Sequence, residues 1–195
     1  LAPSTIARLG LATALRGALR HQEVAWSIDE TTLRIQRLPA PALGLSRHTL
    51  DARLARAFVE AGGNLQTRSR VTELVKTPGR ILATGRRRAA DARWIGLKLH
   101  VRGLLLVREL EMHLGAEAYV GLARVEADVV NVCGLFRRRA IRATGPALLL
   151  GYLADAGLPA LAARIESAAI DINSFCAVAA LGFDSRVPAN DRLCI

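Results

Sequence analysis

The sequence has few aromatic residues, few cysteines and no long hydrophobic run. No apolar run reaches the roughly 18 residues of a membrane span, and no basic-then-apolar signal pattern opens the chain. We therefore expect a cytoplasmic protein with no transmembrane segment. Its three cysteines are far apart and form no CxxC pair, which argues against a zinc knuckle or a disulfide framework. We expect Cys133, Cys176 and Cys194 to be reduced and buried, in the manner of small hydrophobic side chains.

Lysine is almost absent, although the chain is strongly basic. The net charge is +10, yet only Lys76 and Lys98 among the 27 basic residues are lysines. The densest arginine runs, 86–88 and 137–139, lack the interleaved aromatic residues of a base-stacking surface. We therefore predict a solvated arginine surface and no nucleic-acid partner.

The common catalytic motifs are also missing. The chain has no nucleophile elbow, no Walker loop and no complete GxGxxG, so the sequence by itself names no catalytic residue. His100, His113 and Glu111 have no HExxH-like spacing, and we predict no metal site. The chain begins at Leu1 without a methionine and ends inside the apolar run RLCI, so we expect a segment of a longer protein.

Hydrophobic periodicity predicts both helices and strands. One or two short helices are expected over 1–20, and a strand over 31–36 that ends at the loop of Pro39 and Pro41. The remaining expected elements are helices over 46–61, 146–156 and 159–168 and strands near 65–75, 80–84 and 174–181.

The middle of the chain alternates with the period of a β-strand. From Trp94 to Gly103, apolar residues occupy every second position, and segments starting at Arg108, Ala118 and Val129 continue the pattern. This predicts an antiparallel meander covered by helices on one face, within a mixed α/β (α+β) fold. Its polar face would be either a solvated surface or the floor of a substrate pocket. That predicted face comprises Trp94, Lys98, His100, Arg102, Glu109, Glu111, His113, Tyr119, Asn131 and Cys133.

Arg47 directly follows Ser46, a good helix-capping residue, in the sequence. A cation is disfavoured in the first turn of a helix unless an anion lies nearby, because unpaired amides already make this end positive. Asp51 offers a local partner and predicts a solvent-facing ion pair. Alternatively, Ser46, Arg47 and the free amides would bind a phosphate or carboxylate.

Taken together, these segments resemble the FAD-dependent oxidoreductases with the p-hydroxybenzoate hydroxylase fold. This superfamily includes monooxygenases, geranylgeranyl-reductase-like proteins and flavin halogenases. The matching pieces, in the family's order, are LSRHTLDARLARAFVEAGGNLQTRSRVTEL, ILATGR, RWIGLKLHVRG with its meander through YVGLARVE and VNVCGLF, and FCAVAALGF with RVPANDRLCI.

The resemblance implies roles for particular residues. Arg47 would lie beside the FAD, the backbone of Val71 would hold the adenine, and Thr84 and Gly85 would end a strand of the cofactor domain. The sheet would be the substrate domain. Its pocket candidates are Trp94, Lys98, His100, His113, Tyr119 and Asn131. The glycine-rich fingerprint for the FAD pyrophosphate and the Gly-Asp segment of the family are absent, so the cofactor domain is incomplete.

The resemblance also implies a domain organisation and an activity. Residues 1–92 would form a partial, Rossmann-like FAD-binding region, 93–181 the substrate domain, and 182–195 a truncated return toward the FAD domain. The implied activity is that of a flavoprotein monooxygenase, with NAD(P)H as electron donor and a hydrophobic or aromatic small molecule as substrate. The alternatives are an alkene reductase of the geranylgeranyl-reductase type, a halogenase, and a non-catalytic stand-alone binding domain.

Overall fold

The computed structural model describes residues 3–70, 78–81, 83 and 93–181. These residues form four α-helices, which are α1 (Pro3–Arg8), α2 (Arg47–Glu60), α3 (Pro146–Asp155) and α4 (Pro159–Glu166). The strands are β1 (Leu19–Ile28), β2 (Thr31–Gly44), β3 (Trp94–Arg102), β4 (Leu110–Gly115), β5 (Ala118–Val125), β6 (Val129–Arg137) and β7 (Ala169–Leu181). None of the described helices is long and apolar enough to cross a membrane.

The chain divides into two compact units. The smaller unit comprises Leu1–Gly17 and Leu45–Arg87, and the larger comprises Ala18–Gly44 and Arg88–Ile195. The smaller unit contains α1, a 3-10 helix over Ala12–Leu15, and α2. This agrees with the helices expected over 1–20 and 46–61. No strand forms in the described stretches 65–70 and 80–81, while the rest of the strands predicted near 65–75 and 80–84 lies largely outside the described residues.

The larger unit is built on a seven-stranded sheet with the order β2-β1-β4-β5-β6-β3-β7. Strands β4, β5 and β6 form the expected antiparallel meander. The predicted neighbours β3 and β4 are not paired, however, since β3 lies between β6 and β7. Strands β3 to β6 thus form a Greek-key arrangement, in which the first of four strands, β3, lies beside the fourth, β6.

Residues 18–44 belong to this sheet, so the two units divide the chain differently from the expected regions 1–92, 93–181 and 182–195. The physical reason is strand pairing, because β1 pairs in parallel with β4 and antiparallel with β2. β2 also continues through Pro39 and Pro41, where we predicted a loop. It is an edge strand, and its register with β1 shifts between Arg37 and Ala42, so neither proline interrupts a ladder.

The hydrophobic core lies between the sheet and helices α3 and α4. Leu97, Leu99 and Val132 of the sheet are fully buried in one cluster with Leu153 of α3 and Ile165 of α4. The two predicted helices and their covering of one sheet face are therefore confirmed. β7 begins five residues earlier than predicted, at Ala169 rather than Ser174.

Candidate functional site

Strand β4 turns its polar residues toward the core, opposite to our prediction. Glu111 lies opposite Leu122 and His113 opposite Val120, and both hydrophobic partners are fully buried. Directly opposed residues of antiparallel strands share a face, so Glu111 and His113 are also buried, at 2% and 6% exposure. The prediction that they share the polar face of Lys98 is therefore wrong. Alternation of side chains indicates a strand, but it does not establish which of the two alternating sets of side chains faces the core.

Glu111 is held by three neighbouring groups. His113 Nε2 lies 2.8 Å from one carboxylate oxygen, the Arg164 guanidinium contacts both oxygens at 3.2 and 3.3 Å, and the Val107 amide donates to the carboxylate. Burial by itself would raise the pKa of Glu111, but the hydrogen bonds from His113 and Arg164 outweigh it and lower the pKa. We call Glu111, His113 and Arg164 the buried cluster. It ties α4 to the sheet on the face covered by helices.

His100 and His113 cannot both bind one metal ion, because the two side chains lie on opposite faces of the sheet. Across the described ranges, no group of three or more His, Cys, Asp or Glu side chains is arranged to hold a metal ion.

The opposite side of the sheet carries most of the other candidates. Strand β3 alternates as predicted, with Ile95, Leu97, Leu99 and Val101 in the core. The remaining residues of β3 and their same-side neighbours are called the open face here. The open face comprises Trp26, Trp94, Gly96, Lys98, His100, Arg102, Met112, Tyr119, Gly121, Asn131, Cys133 and Cys176.

Lys98 stands near the middle of the open face, between two cysteines. Cys133 lies opposite it on β6 and Cys176 on β7, and both cysteines are exposed. The prediction of buried cysteines is therefore wrong at these two positions. Exposure follows from strand phase, since both cysteines share the side of Lys98 and the core lies on the other side.

A bulge in β7 brings polar groups to Lys98 and His100. β3 advances by two residues from Lys98 to His100, whereas the paired positions on β7 are Cys176 and Asp171. Within the bulge, Ser174 accepts a hydrogen bond from the His100 amide at 2.7 Å through Oγ. Its carbonyl oxygen accepts from Lys98 Nζ at 3.4 Å. Such bulges often re-aim side chains at functional sites.

The surroundings of His100 favour the neutral form of its side chain. Its pKa is lowered, first by burial and then by the positive charge of Lys98. Asn131 lies directly opposite on β6 and forms a side-chain hydrogen bond with His100. The pair can therefore donate and accept hydrogen bonds without adding charge.

Trp26 and Ser174 are two polar or aromatic residues on this side of the sheet that the sequence did not predict to lie there. Trp26 lies opposite Met112 in the parallel pair of β1 and β4, and Ser174 lies in the bulge. The segment VAWSI, from Val24 to Ile28, has large apolar residues at every second position, and this strand signal would have found Trp26. No local signal marks the bulge, because it depends on the register between β3 and β7.

Arg47 lies in the first turn of α2, in the smaller unit. Ser46 caps this helix, since its Oγ accepts a hydrogen bond from the Thr49 amide at 3.2 Å. Arg47 is 81% exposed, and its Nε contacts both oxygens of Asp51 at 2.6 and 2.7 Å. Among the described residues, its two terminal nitrogens have no hydrogen-bond partner, so they fit an anionic group such as a phosphate. Val71, Thr84 and Gly85 lie outside the described residues.

No protein-family model matches the chain, and no curated protein matches it. Solved structures do match. Klebsiella pneumoniae HpxO, complexed with FAD and uric acid, is 15% identical with a TM-score of 0.61, and the match covers 90% of this chain and 56% of that one. The flavin-dependent brominase Bmp2 is 15% identical with a TM-score of 0.66, covering 90% and 55%. A flavoprotein/dehydrogenase from Cytophaga hutchinsonii is 11% identical with a TM-score of 0.63, covering 91% and 55%.

The chain thus spans little more than half the length of these solved structures. At such low identity the similarity concerns the fold, and that fold agrees with the one implied by the sequence resemblance. The chain has the mixed α/β fold found in FAD-containing and flavin-dependent proteins, with a helix-covered sheet.

Proposed function

We propose that this chain is the sheet-bearing part of an FAD-dependent oxidoreductase, acting as a flavoprotein monooxygenase on a hydrophobic or aromatic small molecule. NAD(P)H would supply the electrons. The observation that carries the proposal is the similarity in fold of about nine tenths of the chain to HpxO, complexed with FAD, and to the flavin-dependent brominase Bmp2. The ordered motifs of the sequence resemblance support it.

Arg47 would bind an anionic part of the FAD through its free guanidinium nitrogens. Val71, Thr84 and Gly85 are proposed as further cofactor contacts on the sequence resemblance alone. When bound, FAD would supply the two-electron redox chemistry. The open face of the sheet would bind and orient the substrate, since Trp94 and Tyr119 offer apolar contact and Asn131 offers hydrogen bonds.

The first experiment measures flavin in the full-length protein. We expect a yellow protein whose FAD, released by denaturation and identified by chromatography, is near one per chain. Arg47→Ala should weaken FAD binding about tenfold, because it removes a charge-assisted hydrogen bond. Arg56→Ala is the matched control, since Arg56 is an exposed arginine of the same helix. A colourless protein that gains no flavin on reconstitution would exclude the proposal and favour a binding domain without a cofactor.

A second experiment separates the possible reactions of a yellow protein. A monooxygenase incorporates one atom of labelled dioxygen into an organic product, whereas an alkene reductase yields product without dioxygen. Product that requires bromide would instead favour a halogenase, the alternative supported by the similarity of fold to Bmp2.

A further inference from the structure

We propose that the larger unit has a second binding site, for a phosphate group, in a cleft just before the first paired residues of β1 and β4. This basic cleft has a volume of about 620 Å³, which is in the range of small-molecule sites. Its charged lining consists of four arginines and two glutamates, which are Arg20, Arg37, Arg108, Arg124, Glu23 and Glu109. The inference does not depend on the proposed function, because it involves neither the flavin nor the open face.

The basic cleft lies on the helix-covered side of the sheet. Arg37 pairs with Glu23, which precedes the buried Ala25 by two residues on β1 and therefore points to the same side. Arg124 pairs with Val130, which belongs to the hydrophobic core. A ligand in the basic cleft would therefore occupy a different place from a substrate on the open face.

Two of the four arginines have free guanidinium groups. Arg108 and Arg124 each form an ion pair with a neighbouring carboxylate. Among the described residues, no group forms a hydrogen bond or an ion pair with the side chain of Arg20 or Arg37. A cleft lined by cations concentrates anions from solution, so these two arginines are available to a ligand.

Glu109 is the lining carboxylate that opposes an anion. Within the described residues its ion-pair partner is His21, whose Nδ1 lies 3.5 Å away, and no arginine contacts it. The carboxylate is 55% exposed, so its repulsion of an anion is weakened by solvent but not abolished. The cleft therefore contains groups of both signs, and their removal should have opposite effects on anion binding.

The lining suits a phosphate better than a carboxylate. A phosphate monoester carries roughly two negative charges and three acceptor oxygens. A planar guanidinium binds phosphate through two parallel hydrogen bonds, and Arg20 and Arg37 can each supply such a pair.

The cleft is also larger than a phosphate ion needs. Leu106 and Val107 add an apolar wall that can contact the organic part of a phosphate ester. The buried cluster holds this wall in place, because Glu111 accepts a hydrogen bond from the Val107 amide and Arg164 donates to the Leu105 carbonyl at 2.7 Å. The wall is therefore formed before a ligand binds.

The test titrates the full-length protein with ribose 5-phosphate, inorganic phosphate and ribose in a calorimeter, at low ionic strength because salt screens exposed charges. We expect both phosphates to bind and ribose not to bind. Arg20→Gln and Arg37→Gln should each weaken ribose 5-phosphate binding about fivefold, the effect of losing a charged contact at an exposed site. The matched control is Arg34→Gln, since Arg34 is an exposed arginine of β2 that pairs with Trp26 on the open face. It should change this affinity less than about twofold.

Glu109→Gln should act in the opposite direction. Removal of its charge should strengthen ribose 5-phosphate binding about two- to fivefold, because it removes a repulsion. Partial unfolding cannot produce tighter binding, so this variant tests the site even if an arginine variant loses stability.

The order of the two phosphates distinguishes the sources of the ligand. Tighter binding of ribose 5-phosphate would assign the site to phosphate esters, and tighter or equal binding of inorganic phosphate would assign it to the free ion; both results support the site. The inference would be overturned by undetectable binding of both phosphates, by unchanged affinity in the two arginine variants, by an equal loss in Arg34→Gln, or by weaker binding in Glu109→Gln. A colourless protein that binds phosphate in this way would contradict only the flavin proposal.

Discussion

At Glu111, a carboxylate with 2% exposure is stabilised in the core by charge and hydrogen bonding. Removing water from an ionised carboxylate is unfavourable, and a buried ion pair offsets this only when its hydrogen bonds are satisfied. His113, Arg164 and the Val107 amide satisfy them here. The buried cluster therefore stabilises the sheet unit only while all three of its members are present.

Glu111→Gln tests this dependence. We expect the free energy of unfolding at pH 7 to fall by about 2 to 3 kcal/mol in urea titrations, less than for a fully buried pair because Arg164 is one-third exposed. The control is Glu23→Gln, which breaks the exposed pair of Glu23 and Arg108 and should cost about 1 kcal/mol or less. Equal effects of the two substitutions would contradict the stabilising role of the buried cluster.

The same carboxylate predicts a dependence of stability on pH. The pKa of Glu111 is lowered in the folded protein, so the unfolded chain binds the proton more readily. Its contribution is fully present above the ordinary pKa of 4.5 and is lost as the pH falls through the lower folded value. The stability difference between wild type and Glu111→Gln should therefore be constant from pH 7 to about 6 and shrink below about 4.5. A difference that grows on acidification would show that the pKa is raised instead.

At the scale of elements, α2 depends strongly on its cap. None of its residues is buried, and Phe58 is half exposed, so packing within the described residues contributes little to its stability. The hydrogen bond from the Thr49 amide to Ser46 satisfies one of the unpaired amides of the first turn.

Ser46→Ala should therefore destabilise α2 by about 1 kcal/mol. Hydrogen exchange of the amides from 47 to 61 in the full-length protein should become about five times faster, with little change in the sheet. Ser46→Asp is the matched control and should preserve slow exchange, because aspartate is an equally good cap. Unchanged exchange in the alanine variant would mean that tertiary contacts hold the helix.

A long-range contact caps α4. This helix begins with Pro159 and has no capping side chain of its own at Leu158. Glu30, in the turn between β1 and β2, accepts a hydrogen bond from the Leu161 amide at 2.8 Å. A carboxylate at the amino terminus of a helix interacts favourably with the helix dipole and also accepts a hydrogen bond from an otherwise unpaired amide. The turn between β1 and β2 thus helps to stabilise α4 through Glu30.

For the whole molecule, the main structural finding is that residues 18–44 complete the sheet. β1 covers the edge of β4 and leaves β2 as the outer strand on that side. Without β1, the backbone groups on the edge of β4 that faces β1 would be unpaired, and unpaired strand edges favour aggregation.

Ala25→Pro tests the contribution of β1. Ala25 is buried and pairs with both Ile35 and Glu111, so proline would remove a ladder hydrogen bond and clash within the sheet. We expect the free energy of unfolding to fall by about 3 kcal/mol or more, measured by urea titration. Ala40→Pro is the control, because Ala40 is exposed, has no register partner on β1 and already lies between two prolines. It should cost about 1 kcal/mol or less, and a larger effect there than at Ala25 would contradict the pairing.

Local sequence determined the elements whose signals are short-range. Ser46 predicted the start of α2, Pro146 and Pro159 predicted α3 and α4, and alternation predicted β3 with Lys98 and His100 on one side. These features depend on capping, on proline geometry and on side-chain period, all of which are set within a few residues.

Tertiary structure decided what depends on pairing between distant residues. The strand phase that buries Glu111 and His113 is stable because Arg164 of a later helix and the Val107 amide contact the Glu111 carboxylate together with His113. Tertiary structure also placed β1 beside β4 and formed the bulge that brings Ser174 to Lys98. The sequence by itself determined the periods, the caps and the resemblance to flavoenzymes. Registers and buried charge partners arise only when remote segments meet, since the free energy of each contact depends on its partner.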